Sequence, residues 1–398
     1  MLTLDKIYHA AYVLRGVARR TDMIPAPKLR PDSSIFLKSE NLQTTGSFKL
    51  RGAYYKISQL SPEEKERGVI ACSAGNHAQG VALGASKNGI RSIICLPASA
   101  PISKVEATKA YGAEVRLVEG VYDDAYEEAL RLRDEKGYTF LHPFDDDDVI
   151  AGQGTIGLEI MDQLPDVEAV IVPIGGGGLI SGVAAAIKSL NPAVAVYGVQ
   201  AAGAPSMLEA IRQGKRGALR QVSTIADGIA VKEPGEHTFA YCQKYVDDIV
   251  TVTDDEISTA ILTLMEQEKL VTEGAGAVSV AAALFRKLPI EGKKTCCLLS
   301  GGNIDVTILS RVIERGLVTS GRSCSLMVDL FDQPGQLRDV AGIVAQEGAN
   351  IYAVHHERSA AGVKGCYLRL DLETKNFQHV EKIKSALQAA GYRVLDRA

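Results

Sequence analysis

The chain has 398 residues, more than one ordinary core requires, so two or three compact units of about 100–200 residues each are expected. Hydrophobic residues make up 46 % and charged residues 23 %, which excludes a disordered chain. A net charge of −4, from 44 basic and 48 acidic residues, lacks the basic footprint of a nucleic-acid binder.

Short β-branched runs predict strands at 35–38, 68–72, 92–96, 114–118, 169–173, 195–199, 248–252 and 295–299. Amphipathic or alanine-rich helices are predicted between them, at 78–88, 122–136, 179–189 and 254–268. This alternation reads as βαβ units around open, mostly parallel sheets, an α/β fold. The continuous apolar run 170–174 suits a strand covered on both faces. Beyond Gly316 the pattern changes. Residues 317–323 are small and polar, a linker after a unit spanning 1–316. Residues 324–398 then read strand 324–330, helix 335–346, strands 350–357 and 364–372, helix 377–390 and strand 391–396. That order is a ferredoxin-like βαββαβ module. The helix at 335–346 is expected to carry Leu337, Val340 and Val344 on one face.

Residues 1–22 carry scattered charge and no signal-peptide core, and no apolar run approaches the roughly 18 residues that span a bilayer. A cytoplasmic protein with no membrane partner is expected. Seven cysteines fit a reducing compartment: the count is odd and no CxxC pair occurs, which suggests neither a disulfide framework nor a zinc site.

Three loops combine glycine with small polar groups, each after a predicted strand: Ser73, Ala74, Gly75, Asn76 and His77; Gly175, Gly176, Gly177, Gly178 and Leu179; and Ser300 to Asn303. Ligands of open α/β sheets bind beyond the carboxyl ends of strands, so the three loops can face one crevice. The tetraglycine lets backbone approach an anion, and the amides opening the following helix point at it. A nucleoside triphosphate loop needs Lys and Ser/Thr after the last glycine, whereas Leu179 and Ile180 follow here. A monophosphate is the better ligand. Lys49 stands between Phe48 and Leu50 at a predicted helix start, where desolvation favours its neutral, nucleophilic form. A reactive lysine and a monophosphate cradle together are the equipment for pyridoxal phosphate.

The runs SENLQTTGSFKLRGA (39–53), SAGNHAQGVA (73–82), GGGGL and SGGN, in this order, resemble the fold-type II pyridoxal-phosphate lyases, and among them the threonine ammonia-lyase family. The resemblance covers about residues 4–316. It implies two lobes, the smaller from about 50–148. It also implies a Schiff-base lysine at Lys49, Phe48 beside the cofactor ring, and Gly175 to Leu179 on the phosphate. Asn76 is implied at the ring hydroxyl and Ser300 at the pyridine nitrogen. A neutral hydroxyl there supports the pyridinium less than an aspartate does, which favours elimination over transamination. Ser73, Ala74, Gly75, Asn76 and His77 are implied to receive the substrate carboxylate, with His77 a hydrogen-bonded loop residue. The implied reaction deaminates L-threonine, and L-serine less well, to a 2-oxo acid and ammonia, with Lys49 as base.

Related serine racemases carry a serine where Ala74 stands, and their cation site has acidic residues where Gln200 and Ser206 stand. Racemisation is therefore expected to be weak and no metal is expected. The acidic run 145–148 reads as a loop or helix cap, and His355–His356, read as lacking a cysteine or acid at ligand spacing, as structural. The C-terminal unit resembles an ACT domain in Asp332 to Leu337 (DQPGQL) and Gly348 to Ile351 (GANI). An amino-acid effector, isoleucine or valine, is expected at Asp332, Gly335, Leu337, Asn350 and Ile351, in a homo-oligomer (dimer or tetramer). The alternatives are a serine dehydratase or racemase, and a non-catalytic amino-acid sensor.

Overall fold

The computed structural model describes residues 1–357 and 365–395. Its two compact units divide between Asp305 and Val306. The first holds ten strands: β1 (Met23–Pro25), β2 (Ser34–Ser39), β3 (Val69–Cys72), β4 (Ser92–Pro97), β5 (Glu114–Val118), β6 (Thr139–Phe140), β7 (Ala169–Pro173), β8 (Ala195–Ala201), β9 (Asp248–Val252) and β10 (Lys294–Leu299). Six of them form a sheet in the order β1-β2-β10-β7-β8-β9, parallel except for β1. The other four form a parallel sheet in the order β5-β4-β3-β6.

Helices cover both faces of the large sheet, which is why β7 is buried at every position and reads as unbroken Ala-Val-Ile-Val. Val170, Val172, Val183, Ile187, Val196 and Leu298 share one of its core clusters. In the smaller sheet Val69, Ala71, Ile94 and Leu96 pack under the helix Asn76–Lys87 through Ala78, Val81 and Ala85. Two strands escape the sequence pattern: β1 and β6 have three and two residues, too few to display a period. The helix predicted over 254–268 stops at Thr263 and ends in a π turn, Leu264–Glu268, with Lys269 left-handed at φ 59°.

The second unit begins with a helix, Val306–Thr319, so the boundary expected at 316 and the first residues of the expected linker lie within helix. Four antiparallel strands follow: β11 (Ser323–Phe331), β12 (Asn350–Glu357), β13 (Gly365–Glu373) and β14 (Arg393–Leu395), in the order β12-β13-β11-β14. Helices Gln336–Gln346 and Phe377–Ala389 complete the βαββαβ order. Leu326, Val328, Leu368 and Leu370 face Val340, Val344, Ile383 and Leu387 in its core. Of the three residues expected on one face of the helix Gln336–Gln346, Val340 and Val344 are buried and Leu337 is 46 % exposed. Positions 364 and 396, expected to begin and end strands, lie outside the described residues. No described helix is long and apolar enough to cross a membrane.

Candidate active site

Strands β2, β10 and β7 are parallel neighbours, so the segments leaving their carboxyl ends emerge side by side. From β2 the chain passes through a 3-10 turn, Glu40–Leu42, to the helix Lys49–Ser58. From β10 it passes to Ser300, and from β7 to Gly175 and the helix Gly178–Leu190. The first two segments are stitched together. The Phe48 amide donates to the Ser300 carbonyl at 3.1 Å, the Gly302 amide to the Gly46 carbonyl at 2.8 Å, and Ser47 bridges Gly301.

Lys49 thus opens its helix against the Ser300 loop, and its Nζ donates to the Pro143 carbonyl at 2.7 Å. The amine lies 5.3 Å from the centre of the Phe48 ring. Burial lowers its pKa to about 8, partly opposed by the charge of Glu273. A lysine so tuned has a far larger neutral fraction near neutral pH than an ordinary lysine and can attack a carbonyl. Two residues on, Arg51 is wholly buried and holds the helix in place. Its Nε and one terminal nitrogen pair with Glu40 at 2.8 Å each, and it reaches Glu159 at 2.6 Å and Thr155 at 3.1 Å. Burial alone would weaken its charge, but the two carboxylates more than offset this and raise its pKa. Lys38, also buried, donates to Glu159 at 2.6 Å and extends the network.

The tetraglycine is required by close packing. A Cβ on Gly176 would lie 2.5 Å from the Phe144 ring, and one on Gly178 would lie 2.8 Å from the Phe144 carbonyl. Gly177 has φ +98°, and a Cβ there would lie 2.7 Å from both Thr238 and Met207. The Thr238 hydroxyl donates to the Gly176 carbonyl at 2.6 Å. The amides of the first turn after Gly177, including that of Leu179, have no partner within the helix and stand at its positive end.

Across from them, the segment Ser73 to Gly75 leads from β3 into the helix that begins at Asn76. The Gly75 amide donates to Ser73 Oγ at 3.2 Å, and Ala74 packs against the core of the smaller sheet. Asn76 Nδ2 donates to Glu273 Oε1 at 2.7 Å, while Asn76 Oδ1 accepts from Asn303 Nδ2 at 2.8 Å. Ser300 is buried, and its hydroxyl donates to the Ala275 carbonyl at 3.3 Å. His77 is buried with Nε2 2.9 Å from the Leu141 carbonyl, so that nitrogen carries the proton. Burial, reinforced by the charge of Lys49, pushes its pKa down to about 3 and keeps the ring neutral. Asp145 and Asp146 serve as caps. Asp146 accepts from the Asp148 and Val149 amides and Asp145 from those of Glu236 and Thr238. Gln200, in the position considered for a cation, accepts from the Leu208 amide at 2.9 Å.

Glu273 and Asn303 surround the same crevice; Asn303 lies in a loop the sequence marked, without a role of its own, and sequence reasoning missed Glu273. Asn303 ends the SGGN run. Glu273 is a lone carboxylate before the small and neutral stretch 274–283, and that isolation was the available signal. It is buried, and burial, with Asp227 adding to it, raises its pKa to about 7.

The residues expected for an effector lie in the second unit. Asp332 follows β11, Gly335 precedes the helix at φ +97°, and Asn350 opens β12 with Nδ2 donating to Glu373 at 3.0 Å. Leu337 is exposed and Ile351 packs against the core.

A nucleophilic amine, a helix start without side-chain charge, and a neutral hydroxyl on neighbouring strand ends fit the aldehyde, phosphate and ring nitrogen of pyridoxal phosphate. The site is that of a lysine-dependent enzyme on an open α/β fold. The chain belongs to the pyridoxal-phosphate dependent enzyme family, whose model matches residues 14–301. It is 52 % identical over 398 residues, 99 % of each chain, to a protein of Thermotoga maritima named L-threonine ammonia-lyase. Among solved structures it is similar to the processed form of threonine deaminase isoform 2 from Solanum lycopersicum, with 39 % identity and a TM-score of 0.73 over 78 % of this chain and 93 % of that one. It is also similar to maize serine racemase, with 34 % identity and a TM-score of 0.75 over 80 % and 98 %.

Proposed function

We propose that the protein deaminates L-threonine to 2-oxobutanoate and ammonia, and L-serine less efficiently. The observation that carries this reading is the placement of Lys49, Ser300 and the tetraglycine at the carboxyl ends of three adjacent parallel strands. Bound there, pyridoxal phosphate supplies an electron-withdrawing ring that makes the substrate Cα proton acidic. Lys49 would hold the cofactor through its amine and would take the Cα proton; its lowered pKa suits a base working near neutral pH. The amides after Gly177 receive the phosphate. Asn76, held between Glu273 and Asn303, faces the ring hydroxyl, and Ser300 faces the ring nitrogen. Phe48 lies beside the amine. Ser73 to His77 bind the substrate carboxylate. Neutral His77 positions that loop through Leu141 and transfers no proton. Loss of the Cα hydrogen and the β-hydroxyl as water leaves an enamine, and its tautomerisation and hydrolysis yield the oxo acid and ammonia.

The unit of residues 1–305 carries the catalysis, and the unit that begins at Val306 is regulatory and ACT-type. An isoleucine or valine effector binds at Asp332, Gly335, Leu337, Asn350 and Ile351, in a dimer or tetramer. The Thermotoga relative's similarity extends through this unit.

The similarity to a serine racemase favours a second reading, racemisation of serine. Ala74 argues against it, because a methyl group cannot return a proton to Cα. Steady-state assays with L-threonine and L-serine, following oxo acid and D-serine, decide: oxo acid should dominate with threonine preferred. D-serine as the main product would replace the first reading with the second. Ala74→Ser should raise racemisation measurably.

A further inference from the structure

We propose that Asp332, His356 and Cys366 form a binding site for zinc or a similar soft divalent metal in the C-terminal unit. Along a single strand, His355–His356 has no cysteine nearby. Sheet topology brings such ligands from neighbouring strands instead. β11 and β12 both run antiparallel to β13, so the end of β11 and the end of β12 meet the beginning of β13. Cys366 stands opposite Leu330, and Asp332 follows just past the end of β11. His356 stands opposite Leu368, on the same face of the sheet as Cys366. One ligand atom from each of the three lies within 4.8 Å of the others, and His356 Nε2 is 3.0 Å from Cys366 Sγ.

The donor set defines the ligand. Thiolate with imidazole selects zinc and its soft neighbours, while calcium and magnesium require oxygen cages. Three protein donors with the fourth position left to solvent are the arrangement of an open zinc site. Here the thiol is buried, while Asp332 and His356 are exposed, so the open position faces outward. A thiolate at Cys366, among Leu330 and Leu368, is costly unless a cation compensates it. Metal binding releases the thiol proton to water, and the His356–Cys366 contact opens by about 0.5 Å to reach tetrahedral N–metal–S geometry. The metal ties the turn that leads through Gly335 into the helix Gln336–Gln346 to β12 and β13.

Equilibrium dialysis of the holoenzyme against zinc, with metal measured by mass spectrometry, tests this, because the variants share any zinc held by the cofactor. The wild type should bind one more zinc per chain than His356→Ala, and Asp332→Asn should weaken that zinc at least tenfold. Cobalt-loaded wild type should display a thiolate-to-cobalt charge-transfer band in the near ultraviolet that Cys366→Ser lacks. His356 and Asp332 are exposed, so those variants remain informative if Cys366→Ser fails to fold. Equal zinc content in wild type and His356→Ala, or a cobalt spectrum without the thiolate band, would overturn the proposal and leave only a His–Cys hydrogen bond.

Discussion

Asn76 and Glu273 join the two sheets of the first unit through a single 2.7 Å hydrogen bond, from the start of a helix on the smaller sheet to the start of one behind the larger. Glu273 also acts on Lys49 through charge. Above about pH 7 it is a carboxylate, and its negative charge makes the Lys49 amine hold its proton more tightly.

Removing that charge gives the first prediction. Lys49 must be neutral to attack an aldehyde, so the rate at which apoenzyme captures pyridoxal phosphate should rise with pH through about 8. In Glu273→Gln the rise should move to lower pH, since the group that supports the protonated amine is gone. Stopped-flow capture rates between about pH 6 and 10 would bracket that range and measure it; superimposable wild-type and variant profiles would refute the coupling.

Arg51 supplies the second. Arg51→Leu leaves fully buried Glu40 without its ion-pair partner and Glu159 with Lys38 alone. Losing one partner of a buried pair costs about 3–5 kcal/mol. Urea denaturation of the first-unit transition should display that loss. Because Lys49 lies two residues away on the same helix, cofactor retention should fall as well. A destabilisation below about 1 kcal/mol, the range of exposed pairs, would mean that the network does not anchor the helix.

Gly176 supplies the third. Gly176→Ala drives a methyl group into the Phe144 ring. The cofactor dissociation constant should rise at least about tenfold, equivalent to ~1.4 kcal/mol. Gly176→Ala combined with Phe144→Leu should recover part of it, because the smaller side chain can retreat. Recovery distinguishes a steric cause from a general collapse of the loop, and a single variant that binds cofactor like the wild type would remove the packing argument.

Strands and helices with a full period were legible in the sequence. Helix Tyr122–Lys136 and strands β5, β7, β9 and β12 fall where the residues place them. Apolar alternation needs several residues to register, so two- and three-residue β6 and β1 could not be seen. The site was legible in so far as each loop carries its own glycines and polar groups next to a strand. What was not legible depends on partners distant along the chain. Glu273 acquires its meaning from Asn76, 197 residues away, and the Gly176 cradle from Phe144. Leu337 has helical spacing to Val340 and Val344, yet it is 46 % exposed where they are buried. His356 meets Cys366 only because β12 and β13 pair.

Borohydride reduction of the holoenzyme followed by peptide mapping bears most directly on the role of Lys49. One pyridoxyl group should be found, on Lys49, with the label and the threonine-dependent release of ammonia both lost in Lys49→Ala. A label on any other lysine, or a holoenzyme that cannot be labelled at all, would refute a Schiff base at that position.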